Sequence, residues 1–334
     1  MDPASREGLV LRLDAKVCHV EVDGQRLIVP LAGRLFEHRS HQKQPLAVGD
    51  RVRVRVIDGG AIDEVLPRQS QLCRRSHSAG GERAQVVAAN VTLVLVVAAI
   101  AEPPFQPELV DGLLAAARRE DIQAAVVITK QDRDRAGAAP AWAKLYRDIG
   151  YRTFVVSTAA GHVTTAPLAE LALLLAQNRT VLSGLSGVGK STLLNALAPG
   201  LQLRTGTLNH IDQGRHVTTH TELLPLPGGG HVLDTPGVRA FHLFQVGSQE
   251  MQFLFPEIGA LLPHCQYRNC LHRDEPGCAV SAAAARGEVA PTRYDSYLRM
   301  LTTAAAAEKE EKVGTGRTSA DGAGGHPRRR RPRR

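Results

Sequence analysis

Residues 179–198 read RTVLSGLSGVGKSTLLNALA. An apolar stretch ending at Ser183 predicts a buried strand. The run beginning at Ser191 predicts a helix, and the segment between them carries Gly184, Gly189, Lys190 and Ser191 in the spacing G-x-x-x-x-G-K-S. Strand, glycine-rich loop and helix in this order form a phosphate cradle. The glycines let successive backbone N–H groups curl around phosphate oxygens, and Ser186, Gly187, Val188 and Thr192 complete the wrapping segment. Lys190 is expected to reach the β- and γ-phosphates of a nucleotide, and Ser191 to ligate Mg²⁺.

Working outward, ITKQDRD (128–134) ends another apolar stretch. Asp132 can accept two hydrogen bonds from the Watson–Crick edge of guanine, a donor pair that adenine lacks. The stem of Lys130 can lie over the base. One β-α unit later, Ser157 and Thr158 open STA, where a backbone N–H can meet the guanine carbonyl. Downstream, VLDTPG (232–237) offers Asp234 as a carboxylate that reaches Mg²⁺ through a bound water and Gly237 as a γ-phosphate donor. Between the two phosphate motifs lies GRHVTTHTEL (214–223), with Thr218 as the expected Mg²⁺ ligand and Thr219 as the alternative. Val238 stands where many GTPases carry a water-orienting glutamine, so His216 is the candidate for that task. The base-reading motif precedes the phosphate loop, the reverse of the usual order. A chain whose ends were joined and which was cut elsewhere keeps these motifs adjacent in space, so a circular permutation is expected.

The predicted architecture is α/β. Residues 1–70 read as a small β-barrel of the OB-fold kind, with an Asp23-Gly24 hairpin signal and with Val52, Val54 and Val56 alternating with Arg51, Arg53 and Arg55. That arginine stripe can face phosphates or simply solvent. With Phe36 as its one aromatic, the barrel suits backbone or shape recognition of folded RNA better than base stacking. Residues 68–82 read as a polar linker, and 86–98 as one continuous buried strand. Helices near 107–120, 139–149 and 166–177 alternate with strands, giving a doubly wound GTPase domain over 71–245. Residues 246–312 read as short helical pieces and a terminal helix, and 313–334 as a disordered tail containing HPRRRRPRR.

Cys265, Cys270, His272 and Cys278 follow C-x₄-C-x-H-x₅-C, a complete tetrahedral shell for one structural Zn²⁺ with no position left for water. Cys18 and Cys73 read as ordinary thiols. A formal net charge of +8 favours polyanionic partners such as nucleic acid. The longest apolar run, 91–101, is too short to span a bilayer, and a cytoplasmic, membrane-free monomer is expected.

Together TKQD, GLSGVGKS, GRHVTTH, DTPG and CQYRNCLHRDEPGC resemble the ribosome small-subunit-dependent GTPase A family over about residues 8–300. The resemblance implies a circularly permuted GTPase with an N-terminal OB-fold and a C-terminal zinc domain. It also implies late maturation of the small ribosomal subunit, contact with its rRNA, and GTP hydrolysis to GDP that this particle stimulates. Thr129 stands where the family usually has asparagine, and Val217 where it usually has threonine. Two other readings are an RNA-binding module that senses guanine nucleotides with negligible catalysis, and an ATP-using P-loop enzyme.

Overall fold

A computed structural model describes residues 5–14, 17–30, 46–55, 60–78, 81–201, 222–234 and 246–318, without the side chains of 73–85, 234 and 310–318. The chain divides into two compact units, Met1–Phe244 and Gln245–Arg334. The first opens with β1 (Ser5–Leu13), β2 (Val17–Val22), β3 (Gln25–Pro30), β4 (Arg51–Arg55) and β5 (Ala61–Val65). They pair antiparallel in the order β3-β2-β1-β4-β5. Asp23 and Gly24 both take positive φ, 49° and 76°, as a two-residue turn matching the strand twist requires. Val10, Cys18, Val20, Val52, Val54 and Ile62 fill the barrel. The arginine stripe on β4 does not present bare cations. Arg51 pairs with Glu7, Arg53 with Glu64 at 3.0 Å and Arg55 with Asp63, so phosphate would have to displace three carboxylates.

The segment expected to be a linker is a hairpin. Strand β6 (Gln71–Ser78) pairs antiparallel with β7 (Gly81–Ala89). The continuous apolar run is accordingly two strands, broken at Asn90 (φ 53°), whose side-chain amide donates to Gly49 O and accepts from Gln69 N, both at 2.9 Å. Asparagine is among the few residues that enter the left-handed region readily.

The nucleotide-type sheet then follows as β8 (Leu93–Ala99), α1 (Pro107–Arg119), β9 (Gln123–Thr129), α2 (Ala139–Asp148), β10 (Arg152–Val155), α3 (Thr165–Ala176), β11 (Arg179–Ser183), α4 (Lys190–Leu197), β12 (Glu222–Pro225) and β13 (His231–Asp234). Its order is β10-β9-β8-β11-β13-β12, parallel except for β12. Every residue of β8 is buried because both faces are covered. Val94, Val96 and Ala98 pack with Leu114 of α1 and Tyr146 of α2, while Leu93, Leu95 and Val97 pack with Leu171 of α3 and Leu193 of α4. Strand β12 also joins the barrel through one register pair, Arg12↔Glu222, so a single 11-stranded sheet runs through the unit.

The second unit holds short turns at Met251–Leu254 and Leu262–His264, a short α5 (Pro256–Gly259), then α6 (Ala279–Ala285) and α7 (Pro291–Thr318). Buried Arg293 is paired with Glu257 at 2.7 Å and lies over the Phe255 ring at 4.4 Å. Helix α7 continues through Thr318, beyond the expected end at 312. The alanine, glutamate and lysine run before it favours helix, and outweighs about 1 kcal/mol for each of Gly314 and Gly316. No helix among the described residues is long and apolar enough to cross a membrane.

Candidate functional site

The strand order brings the separate motifs to one edge. β11 lies between β8 and β13, and β9 borders β8 on its other side, so the carboxyl ends of β9, β11 and β13, all parallel, lie along one edge of the sheet. Gly184 leaves β11 at φ 152°. A Cβ there would stand 2.0 Å from Val97 O, so the loop can pass the neighbouring strand only as glycine. Gly187 (φ 79°) and Gly189 (φ 95°) make the remaining turns, and Gly189 caps α4. Lys190, Ser191 and Thr192 form the first turn of that helix, whose N–H groups lack intrahelical acceptors and favour an anion. Lys190 Nζ donates to Gly184 O at 2.8 Å and Leu185 O at 2.6 Å, so its ammonium folds over the loop.

At the other end, Thr129 is buried at the last position of β9. Its Oγ1 donates to Val188 O at 2.6 Å, with Ala98 O farther away at 3.4 Å. The motif on β9 is thus bonded directly to the phosphate loop on β11. Lys130 turns the chain with φ 59°, and its ammonium donates to Glu102 O; burial first, then the Arg133 charge, lowers its pKa. Arg133 pairs with the Glu102 carboxylate. Asp132 Oδ1 accepts from Ser157 Oγ at 2.6 Å, and Ser157 is buried. This contact brings TKQD and STA together as expected, and Thr158 follows directly at the half-buried rim. Sequence reasoning missed Glu102. It lies after β8, a strand with no nucleotide motif, and only the sheet order shows that its loop shares this edge. Asp234 ends β13, beside β11. His216, Thr218, Thr219, Gly237 and Val238 lie outside the described residues.

In the second unit, one ligand atom from each of Cys265, Cys270, His272 and Cys278 lies within 4.8 Å of the others. His272 Nδ1 is 3.6 Å from Cys265 Sγ and 3.5 Å from Cys278 Sγ. Ligands about 2.3 Å (sulfur) and 2.0 Å (nitrogen) from a shared tetrahedral ion stand about 3.5 Å apart, so the cluster fits a metal ion. Gln252, which the sequence did not single out, sets the imidazole tautomer. Its amide N–H donates to Gln249 O at 2.8 Å, which turns its Oε1 toward His272 Nε2 at 3.0 Å. Nε2 then carries the proton and Nδ1 keeps its lone pair for a ligand. Burial lowers the His272 pKa and pushes the Cys270 thiol up to about 12. At Cys278 burial also raises the pKa, but hydrogen bonds from Ser281, Cys270 and Val280 outweigh it and hold the thiol below its ordinary value.

A phosphate loop on the central strand, an aspartate-bearing turn bonded to it through Thr129, and motif order reversed along the chain define a circularly permuted P-loop GTPase. Residues 65–244 match the model of the RsgA GTPase family. The small ribosomal subunit biogenesis GTPase RsgA of Moorella thermoacetica is 39% identical over 306 residues, covering 91% of this chain and 99% of that one. The protein of the same name from Gemmatimonas aurantiaca is 37% identical over 303 residues, covering 89% and 96%. Among solved structures, YjeQ from Thermotoga maritima superposes with a TM-score of 0.72 at 29% identity, covering 90% of this chain and 98% of that one. YloQ, a circularly permuted GTPase, gives 0.72 at 27% identity, covering 92% and 98%. The chain belongs to the RsgA GTPase family and is a GTP-hydrolysing enzyme.

Proposed function

We propose that this GTPase binds the small ribosomal subunit and assists its late maturation in the cytoplasm, with GTP hydrolysis stimulated by that particle. The observation that carries the nucleotide part is the 2.6 Å bond from Thr129 to Val188 O, which joins the base end to the phosphate end. The ribosomal part is supported by the names of relatives aligned over nearly their whole length. Asp132, held by Ser157, reads guanine, and a backbone N–H near Thr158 meets its carbonyl. Residues 184–192 wrap the phosphates, and Lys190 leaves its two loop carbonyls to reach the β- and γ-oxygens. Ser191 and Thr218 would hold Mg²⁺, with Asp234 behind it and Gly237 donating to the γ-phosphate. Bound Mg²⁺ supplies charge neutralisation at the transferring phosphoryl group. Cys265, Cys270, His272 and Cys278 would hold one structural Zn²⁺. The test is binding of the purified protein to small subunits with GDP and with a non-hydrolysable GTP analogue. Tighter binding with the analogue supports the reading, and no binding in either state refutes it.

Two further outcomes are expected. Thr129 has one hydroxyl proton, committed to Val188 O, so it has none for the base, whereas asparagine would bring two donors. Base choice then rests on Asp132. Thr129→Val leaves a buried carbonyl unpaired at about 1–3 kcal/mol. That cost falls on stability in the free and bound states alike, so the melting temperature should drop while titration calorimetry shows the ratio of GDP to ADP affinity unchanged; a changed ratio would show that Thr129 reads the base. The second concerns water. With Val238 unable to orient it, His216→Ala should lose most subunit-stimulated hydrolysis while GTP binding stays within about threefold. Unchanged stimulated turnover would remove His216 from the mechanism.

A further inference from the structure

Strand β12 meets the barrel at one register pair, and that pair carries charge. Arg12 on β1 faces Glu222 on β12, and Glu222 in turn faces Asp234 on β13. Directly opposed residues on neighbouring strands are the sheet's closest cross-strand contacts. One row, three strands wide, therefore runs from the barrel to the first residue of DTPG. Glu222 Oε1 accepts from Arg26 Nη2 at 2.8 Å, and Oε2 stands 3.8 Å from Arg12 Nη1. Both arginines belong to a barrel network. Arg12 Nε donates to Asp14 at 2.9 Å, Asp14 Oδ2 meets His19 Nε2 at 3.1 Å, and Arg26 Nε donates to His19 Nδ1 at 3.3 Å. At the far end of the β12–β13 pair, His231 Nε2 stands 3.6 Å from Glu21 Oε1 on β2.

We infer that Glu222 is a positioning residue that ties the Asp234 end of the phosphate site to the barrel, so that nucleotide state and barrel docking on RNA bias each other. The inference rests on the reading of Asp234 as part of the phosphate site. A displacement of β13 at Asp234 reaches Glu222 across one strand spacing, and Glu222 can follow only by pulling on Arg12 and Arg26 or releasing them. Such coupling is reciprocal: the factor by which a GTP analogue tightens subunit binding equals the factor by which the subunit tightens analogue binding. Glu222 is mostly covered and its arginines are partly exposed, so the pairs are modest and the expected factor is small.

The experiment measures affinity of the full-length protein for small ribosomal subunits with GDP and with a non-hydrolysable GTP analogue. The ratio of the two is the quantity read. Glu222→Ala and Arg26→Ala should each lower it about three- to fivefold. The double variant should lower it no further than Glu222→Ala alone, because that change already removes the Arg26 contact. Glu222→Gln, which keeps the shape and loses the charge, should follow Glu222→Ala if the ion pairs carry the effect. Analogue binding to the free protein and melting temperature should stay near wild type. A ratio preserved in both single variants overturns the inference, as do losses that add in the double variant. A wild-type ratio of one overturns instead the nucleotide-dependent reading on which it rests.

Discussion

Asp132→Asn is expected to weaken GDP binding by at least about a hundredfold and to make the protein prefer XDP. Guanine presents two donors, N1–H and the exocyclic amine, toward a carboxylate that can accept both. An amide in that place turns one acceptor into a donor, which meets the amine head-on and is left unpaired. Sites built around such bonds separate matched from mismatched ligands by about 10⁴–10⁵, which sets the upper range. Xanthine replaces the amine by a carbonyl and restores the match. The fold should tolerate the change, because Ser157 Oγ, now donating to Asp132 at 2.6 Å, can rotate to accept from the new amide. Titration calorimetry with GDP, XDP and ADP reads the result. If GDP binds the variant as it binds wild type, or if ADP competes equally with GDP in wild type, Asp132 does not select the base.

Cys270→Ser should cost the second unit most of its metal affinity and much of its stability. Cys270 is buried, and its sulfur is one of four donors grouped within 4.8 Å. Structural zinc contributes about 10–16 kcal/mol of apparent binding free energy in small metal domains, nearly all of it realised as folding. A hydroxyl is a far poorer ligand than a thiolate, so the variant should hold less than one zinc per chain. Residues 245–318 should lose thermal protection and become protease-sensitive. Residues of Met1–Phe244 form a separate compact unit, so GDP affinity should stay within about threefold. Metal analysis and limited proteolysis, repeated on wild type after chelation, measure this. Wild type prepared without chelator but free of zinc would contradict it.

Much of this was legible because each motif sits at a strand end and strand ends share an edge. TKQD, STA, GLSGVGKS and DTPG could be placed from the apolar stretches before them, and the helices at 107–119, 139–148 and 165–176 follow from Pro107, Pro140 and the apolar period. What was not legible depends on distant partners. The hairpin at 71–89 begins with QLCRRSHSAGGE (71–82), whose first strand has no apolar alternation, so nothing local distinguishes it from a linker. Asn90 divides an apolar run through bonds to Gly49 and Gln69 that no window around it contains. Glu7 neutralises Arg51 from 44 residues away. Glu102 and Gln252 reach Lys130 and His272 only once the chain has folded. Spacing announces ligands and phosphate loops; the residues that orient them carry no spacing of their own.

The most direct measurement is the rate of GTP hydrolysis by the purified wild-type protein, alone and with saturating small ribosomal subunits at equal nucleotide. A GTPase whose water-orienting position holds valine should turn over slowly alone. Docking on the particle should raise the rate by at least about tenfold if it supplies or orders the missing group. Equal rates with and without subunits would contradict the coupling of hydrolysis to the ribosomal particle.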